Sequence, residues 1–442
     1  MENNFQGQTI NLNNMGANPM YINSGVIAPV GGTDIIGANP TAQVVTQETP
    51  VEQVESTGTP TMTVMRDDFV VPTLVMKSLM DVATKVGNYN PHHPQSQVVC
   101  LSLNANGIIA RTSNGQEYLE LHEKNYKYSG SIMVTVDIRL FSGVIKALDC
   151  ANIELSLDEN GVLIVKTENG QYKFAQKIDA STQQPVYIDL SFMPRYEEMS
   201  PVNYDSLHTV IEQTKPVRDL IKLDGTMKGV YFSNITVSTD STIMLIQNND
   251  TGVQKGGFFM GSSYCDLLSS LSFNAATTKV GYTTDGDGIV RLVTISDGHT
   301  TLCGPVEIET DIPLETCIGF WNESFDKKIT VDTRRFSGLL SRMLPFINQE
   351  NNEGSIFLNI NSDCLEAITI NGAARETLVA NNQSMYTTQQ ISLPVKKISS
   401  LISKIKSATF DITINPEMVQ DCICLSYDNN KCIVALVGDD DM

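Results

Sequence analysis

The sequence predicts an α+β protein in which three similar domains follow an unpatterned tail. Three observations predict it. One segment recurs: Val136-Asp-Ile-Arg-Leu-Phe-Ser-Gly and Val331-Asp-Thr-Arg-Arg-Phe-Ser-Gly share the pattern V-D-x-R-x-F-S-G at an offset of 195 residues. An amphipathic helix followed by a meander of short strands can be traced six times, and repeats of this kind decide architecture. The composition also breaks near residue 62, before which the chain has no lysine or arginine.

Residues 1–62 are rich in Asn, Gly, Thr, Gln and Pro, and the first basic residue is Arg66. Such a stretch buries too little apolar surface to offset the entropy of ordering it, so it is expected to be disordered. The six helices are expected to begin near Pro72, Val136, Asp205, Ser262, Val331 and Ser392, at spacings of 64, 69, 57, 69 and 61 residues. Asp137 and Asp332 are N-cap residues by type and position. Ile138, Phe141, Ile145 and Leu148 recur at helical spacing. After the second helix, Glu159-Asn160-Gly161 and Asn169-Gly170 mark hairpin turns between alternating strands. One helix with one meander cannot cover both faces of its sheet, whereas two such units side by side can. This predicts domains at 63–190, 191–318 and 319–442.

No apolar run approaches the roughly 20 residues that a membrane span needs, and the N-terminus lacks the basic and apolar regions of a signal peptide. A soluble, intracellular protein is expected. The nine cysteines include no C-x-x-C pair. Cys422 and Cys424 share one face of a strand, and reduced thiols are expected throughout. No G-x-x-x-x-G-K-[ST], H-E-x-x-H or G-x-S-x-G motif occurs, so no catalytic residue, metal or cofactor is expected. His92 and His93 lie in a proline-bounded loop. Thr284-Asp-Gly-Asp-Gly288 resembles part of a calcium loop but lacks the downstream glutamate, and reads as a strand turn.

Formal net charge is −20, which alone argues against binding nucleic acid. Its distribution argues otherwise. The six helix windows (72–87, 137–149, 205–222, 262–273, 332–347 and 392–407) hold Lys77, Lys85, Arg139, Lys146, Lys215, Arg218, Lys222, Arg334, Arg335, Arg342, Lys396, Lys397, Lys404 and Lys406. Against these 14 stand eight acids, so the helices carry +6 and the remainder −26. Arg139 and Lys146, Arg335 and Arg342, and Lys397 and Lys404 are each seven apart, on one helix face. Positive helices facing a polyanion fit this segregation. Good helix formers on solvated faces fit it too, and the fourth window, with no basic residue, departs from it.

Several stretches resemble, in order, the beta subunit of bacterial DNA polymerase III, the DNA sliding clamp family. FVVPTLVMKSLMDVATKVG with VVCLSLNANGIIARTSNGQEYLELH resembles the start of its first domain. KGVYFSNITVSTDSTIMLIQ resembles the second-domain hairpin that precedes its binding pocket. VDTRRFSGLLSRMLPFINQ with GSIFLNINSDCLEAITINGAARETLVAN resembles the third domain, and CIVALV its last strand. The likeness runs from Met65 to Val437 as a pattern of order and spacing, with few identities, which implies a viral or otherwise divergent member. The tail and the acidic end Gly438-Asp-Asp-Asp-Met442 depart from the family.

The resemblance implies a head-to-tail homodimer closing a ring, with cytoplasmic location. Twelve helices about 9 Å apart give a circle of axes roughly 34 Å across, and a hole of roughly 24 Å inside it. Double-stranded DNA would pass through, held without regard to sequence by the helix cations named above. Partners (a DNA polymerase and a clamp loader) would insert a short peptide between domains two and three. Its pocket would comprise Thr239, Asp240, Ser241, Thr242, Ile243 and Met244, with Ile312 and Pro313 from the connector and Ile433, Val434 and Ala435 from the last strand. Family members often have Gly-His-Arg where this chain has Ser241-Thr242-Ile243. Phe346 and Ile347 would lie at the subunit contact. The rival reading from another class is a β-rich viral structural or assembly protein. An acidic DNA mimic leaves the basic helices unexplained.

Overall fold

The computed structural model describes residues 68–436, apart from 88–92, 222–227, 241, 249, 254–256, 309, 348–353 and 419–420. The disordered tail expected at 1–62, His92, Lys222, Ser241 and the acidic end at 438–442 lie outside the described residues.

Six units repeat one plan: a lead-in strand, a helix and a three-strand antiparallel meander. The first has β1 (Val70–Pro72), α1 (Thr73–Val86), β2 (Val98–Asn104), β3 (Gly107–Ser113) and β4 (Tyr118–Glu123). The second has β5 (Ile132–Asp137), α2 (Ile138–Ala147), β6 (Asn152–Leu157), β7 (Leu163–Thr167) and β8 (Gly170–Phe174). The third has β9 (Ser200–Pro201), α3 (Tyr204–Leu220), β10 (Gly229–Phe232), β11 (Thr236–Thr239) and β12 (Ile243–Gln247). The fourth has β13 (Phe258–Gly261), α4 (Ser262–Ser270), β14 (Lys279–Thr284), β15 (Val290–Ser296) and β16 (Thr300–Glu307). After an additional helix, α5 (Leu314–Asn322), the fifth has β17 (Lys327–Asp332), α6 (Thr333–Met343), β18 (Ser355–Ile360), β19 (Cys364–Thr369) and β20 (Arg375–Val379). Following the short β21 (Asn381–Asn382), the sixth has β22 (Thr388–Pro394), α7 (Val395–Ile402), β23 (Thr409–Ile414), β24 (Cys422–Tyr427) and β25 (Asn430–Ala435).

Units associate in pairs by exchanging lead-in strands. β1 pairs with β6 while β5 pairs with β2. β9 pairs with β14 while β13 pairs with β10. β17 pairs with β23 while β22 pairs with β18. This reciprocity is how two one-sided units cover each other's sheets.

The repeated motif does the same physical work in both copies. Asp137 caps α2 by accepting from the Arg139 and Leu140 amides, and Asp332 caps α6 by accepting from Arg335. Phe141 and Phe336, both fully buried, meet Phe174 and Phe410 edge-on at 5.1 and 5.3 Å between ring centres. The expected turns close hairpins: Thr167 pairs with Gly170 across β7 and β8, and Gly161, between β6 and β7, has φ of +73°. In the Thr284–Gly288 turn between β14 and β15, Asp285 accepts from the Asp287 and Ile289 amides and pairs with Arg291.

Helix α5 was not expected. Its sequence, LETCIGFWN, carries Leu314, Cys317, Ile318 and Trp321 at helical spacing, but over only nine residues, with Gly319 inside and Cys317 alone fully buried, so the stripe is a short signal.

Candidate nucleic-acid interface and partner pocket

The helices form a row. α1 packs against α2 and α4, α4 against α3, α3 against α7, and α7 against α6. Each turns an apolar stripe to the sheets: Ile138, Phe141 and Ile145 on α2, Phe336, Leu340 and Met343 on α6, Val395, Ile398 and Ile402 on α7. Exposed on the other faces are Lys85, Arg139, Lys146, Arg334, Arg335, Arg342, Lys396, Lys404 and Lys406, while Lys77 and Lys215 are half-buried.

Many of these cations tie neighbouring elements together. Lys146 pairs with Asp81 on α1 at 2.9 Å, and Lys404 with Glu212 on α3 at 3.6 Å. Lys215 reaches Asp266 on α4 at 3.3 Å, Lys85 donates to the Ser270 carbonyl, and Arg342 forks onto Glu376. Arg334, Arg335 and Lys406 make no ion pair among the described residues. Arg334 and Lys406 line one cavity of about 470 Å³ between the start of α6 and the end of α7.

Among the described cations of this set, two are turned away from this face. Arg218, expected to meet DNA, has no exposed surface; it bonds the Ser262 hydroxyl at 2.6 Å and Asp266 at 2.9 Å, so it braces α3 against α4. That corrects the sequence expectation. Its position explains the burial, because Ile211, Thr214 and Arg218 follow one another at helical spacing on the packed face of α3. Lys397 donates to the Thr242 hydroxyl at 2.8 Å and lies 3.8 Å from Asp240, into the loop ahead of β12.

Two seams join the paired units through the last strands of their meanders. β4 pairs antiparallel with β16, and β12 with β25. In the second seam Ile243 opposes Val434 and Met244 opposes Ile433. Strand alternation then divides the expected pocket residues between two faces. Ile243 and Val434, 1% and 0% exposed, join the core beneath α6 and α7. They cannot line a surface pocket, a second correction. Met244 and Ile433 face the other side, in an apolar layer with Ile312 and Cys317 covered by Leu314, Phe320 and Trp321 of α5. Thr239 is buried, Pro313 caps α5, and the Ala435 amide donates to the Thr242 carbonyl at 2.8 Å. Asp240 closes the loop by accepting from the Thr242 and Ile243 amides.

Lys431 fastens α5. Its Nζ donates to the carbonyls of Trp321 at 2.7 Å and Glu323 at 3.0 Å and lies over the rings of Trp321 and Phe325. The sequence reading missed this latch; the signal was the chain's single tryptophan in an aromatic stretch, Phe320 to Phe325.

The expected subunit-contact residues also separate. Phe346 is 48% exposed, but Ile347 is 7% exposed and packs in the core.

No protein-family model matches the chain, and neither does any curated sequence. Solved structures do. The beta subunit of the DNA polymerase of Streptococcus pyogenes superposes with a TM-score of 0.68 at 15% identity, over 84% of this chain and 99% of that one. The DNA polymerase sliding clamp of Bacillus subtilis gives 0.68 at 14%, over 83% and 98%. That of Pseudomonas aeruginosa gives 0.68 at 12%, over 84% and 100%. The chain therefore has the fold of the DNA polymerase III beta subunit, along the whole length of those proteins.

Proposed function

We propose that this chain is a DNA sliding clamp, a non-enzymatic processivity factor whose two copies close head to tail around duplex DNA. The observation that carries the reading is where strand pairing stops. Of the six meander-ending strands, β4 meets β16 and β12 meets β25, whereas β8 and β20 are sheet edges with one partner each among the described residues. The helix row ends at α2 and α6, the helices of the same two units. One joint of the kind already made twice inside the chain, formed between copies, would continue both the sheet and the helix row. Applied at both ends, it closes a symmetric ring, and a long free edge is otherwise an aggregation hazard. The edges carry exposed apolar groups to cover: Tyr172 at 41% on β8, Val379 at 73% on β20, with Phe346 and Ile370 near β20's unit.

Within this reading the domains are 63–190, 191–318 and 319–442, and the helix row lines the hole. Phosphate attraction there is independent of sequence, and topology keeps the ring on DNA. A polymerase and a loader would dock at the outer face of the second seam, raising the polymerase's effective concentration at the primer end. The ring would work in the cytoplasm, the host's if the source is viral. The test is electron microscopy of the purified protein together with its retention on closed circular DNA. Closed six-domain rings that stay on circles and leave after linearisation are expected. Monomers, or open filaments indifferent to DNA topology, would favour an assembly protein instead.

A further inference from the structure

The outer face of the second seam differs in charge from the helix side, and the difference specifies what can dock there. From Glu307 to Asp326 the chain has six carboxylates and no lysine or arginine. Glu307 pairs across the strands with Phe259 of the apolar layer, and Glu315 is exposed on the first turn of α5. Asp421 and Glu323 both lie close enough to Cys422, in the same layer, to oppose its ionisation once burial has raised it. From Asn415 to Leu436 the one basic residue is Lys431, whose ammonium is already held by two carbonyls and two aromatic rings. Half-buried Met244, Phe320 and Trp321 and half-exposed Ile318 thus form an apolar surface rimmed by carboxylates.

We infer that the segment docking on this face is a short cationic peptide, with apolar or aromatic anchors flanked by lysine or arginine. The inference rests on reading this seam as the partner pocket. Such a rim repels nucleic acid and acidic peptides, and complementary charge on a partner raises both selectivity and association rate. The chain's own first 67 residues do not suit the face, since they carry six acids against Arg66 alone.

Trp321, the only tryptophan, lies in this face, so its emission reports occupancy in the full-length protein. Three ten-residue peptides with the same two leucines and one phenylalanine, flanked by lysine, serine or glutamate, would be titrated by calorimetry and by Trp321 emission. The lysine-flanked peptide should shift the emission and bind about tenfold more tightly than the serine-flanked one at low salt, the gap closing as salt screens it. Asp421→Asn with Glu315→Gln should remove most of that gap and leave the serine-flanked peptide unchanged. Serine- or glutamate-flanked peptides binding as tightly as the lysine form would overturn the charge inference and leave the pocket reading intact. Heat of binding without any change in Trp321 would put the peptide elsewhere. Emission that follows protein concentration, with no response to any peptide, would assign the face to a second copy and sink the pocket reading as well.

Discussion

The side-chain oxygen of Gln213 accepts a 3.3 Å hydrogen bond from the amide of Asn430, 217 residues further along the chain. The same oxygen accepts from Gln247 at 2.6 Å, and all three side chains are at most 5% exposed. Here α3, β12 and β25 meet, so a buried polar cluster pins the second seam. Gln213→Ala strands the Gln247 donor and weakens the bonding of Asn430. A loss of about 2–4 kcal/mol in urea unfolding is expected, from roughly 1–3 kcal/mol per unsatisfied buried group. A loss below about 0.5 kcal/mol would mean that water enters the space left and satisfies the freed amides, so that the glutamine does not pin the seam.

The helix cations divide into two classes with opposite expected phenotypes. Replacing Arg334, Arg335 and Lys406 with alanine should leave the melting temperature unchanged. It should flatten the dependence of DNA retention on salt by about 0.9 in log–log slope for each phosphate that is no longer neutralised. Arg218→Ala should cost about 2–4 kcal/mol of stability, because it removes packing and hydrogen bonds between α3 and α4. Its effect on the salt slope should be nil. If Arg218→Ala changes the slope with the fold intact, or the triple variant slides on circles like the parent at every salt concentration, this assignment of roles fails.

The difference between these classes shows how much of the molecule the sequence carries. The V-D-x-R-x-F-S-G repeat was legible down to its aspartate caps and the phenylalanine that enters each core, because local geometry fixes both. The spacing of six helices was legible for the same reason. Arg218 was misjudged because its charge outweighed its place in the stripe Ile211, Thr214, Arg218, where burial is tolerated only with Asp266 and Ser262 at hand. The faces of Ile243-Met244-Leu245 and Cys432-Ile433-Val434 were not legible at all. Strands that are apolar on both sides show no alternation, and only the register with α5 above and α7 below separates core from surface. Pairing between β12 and β25, nearly two hundred residues apart, leaves no local signal.

Subunit contact should be separable from folding at the β20 edge. Val379→Glu together with Phe346→Glu alters side chains 73% and 48% exposed, and should halve the mass in light scattering with an unchanged circular dichroism spectrum. Ile347→Glu puts a carboxylate into the core and should instead unfold the chain, by the several kcal/mol that an unpaired buried charge costs. A Val379/Phe346 variant that keeps the parent's mass would remove β20 from the interface.

Cysteine reactivity should follow burial. Burial pushes the Cys265 thiol up to about 12, and Cys303, Cys317 and Cys422 to about 11. At pH 8 these four stay protonated and enclosed, whereas Cys150 and Cys364 are half-buried. Iodoacetamide should therefore mark Cys150 and Cys364 first in peptide mass spectra. Early labelling of Cys317 and Cys422 instead would show that α5 lifts off the seam in solution.

Met244 and Val434 provide the sharpest test of which side of the second seam receives a partner. They are diagonal neighbours across β12 and β25, yet they belong to different layers. Val434 is fully buried under the helices, so Val434→Ala should lower stability by about 1–3 kcal/mol through the small cavity it leaves. Once the variant is assayed well below its melting temperature, polymerase stimulation should persist. Met244 is half-buried on the opposite face, packed against the apolar layer under α5 rather than the core beneath α6 and α7. Met244→Asp should keep the parent's mass in light scattering and reduce stimulation at least tenfold, because truncating one anchor at a docking centre removes about 2 kcal/mol or more. The aspartate adds to an acidic rim, so a cationic peptide could regain some attraction even without its apolar anchor point. Met244→Ala, which removes the anchor point without adding charge, separates the two effects. If both Met244 variants stimulate polymerase as the parent does, and Val434→Ala does not, then partners reach the seam from the helix side and the faces have been assigned the wrong way round.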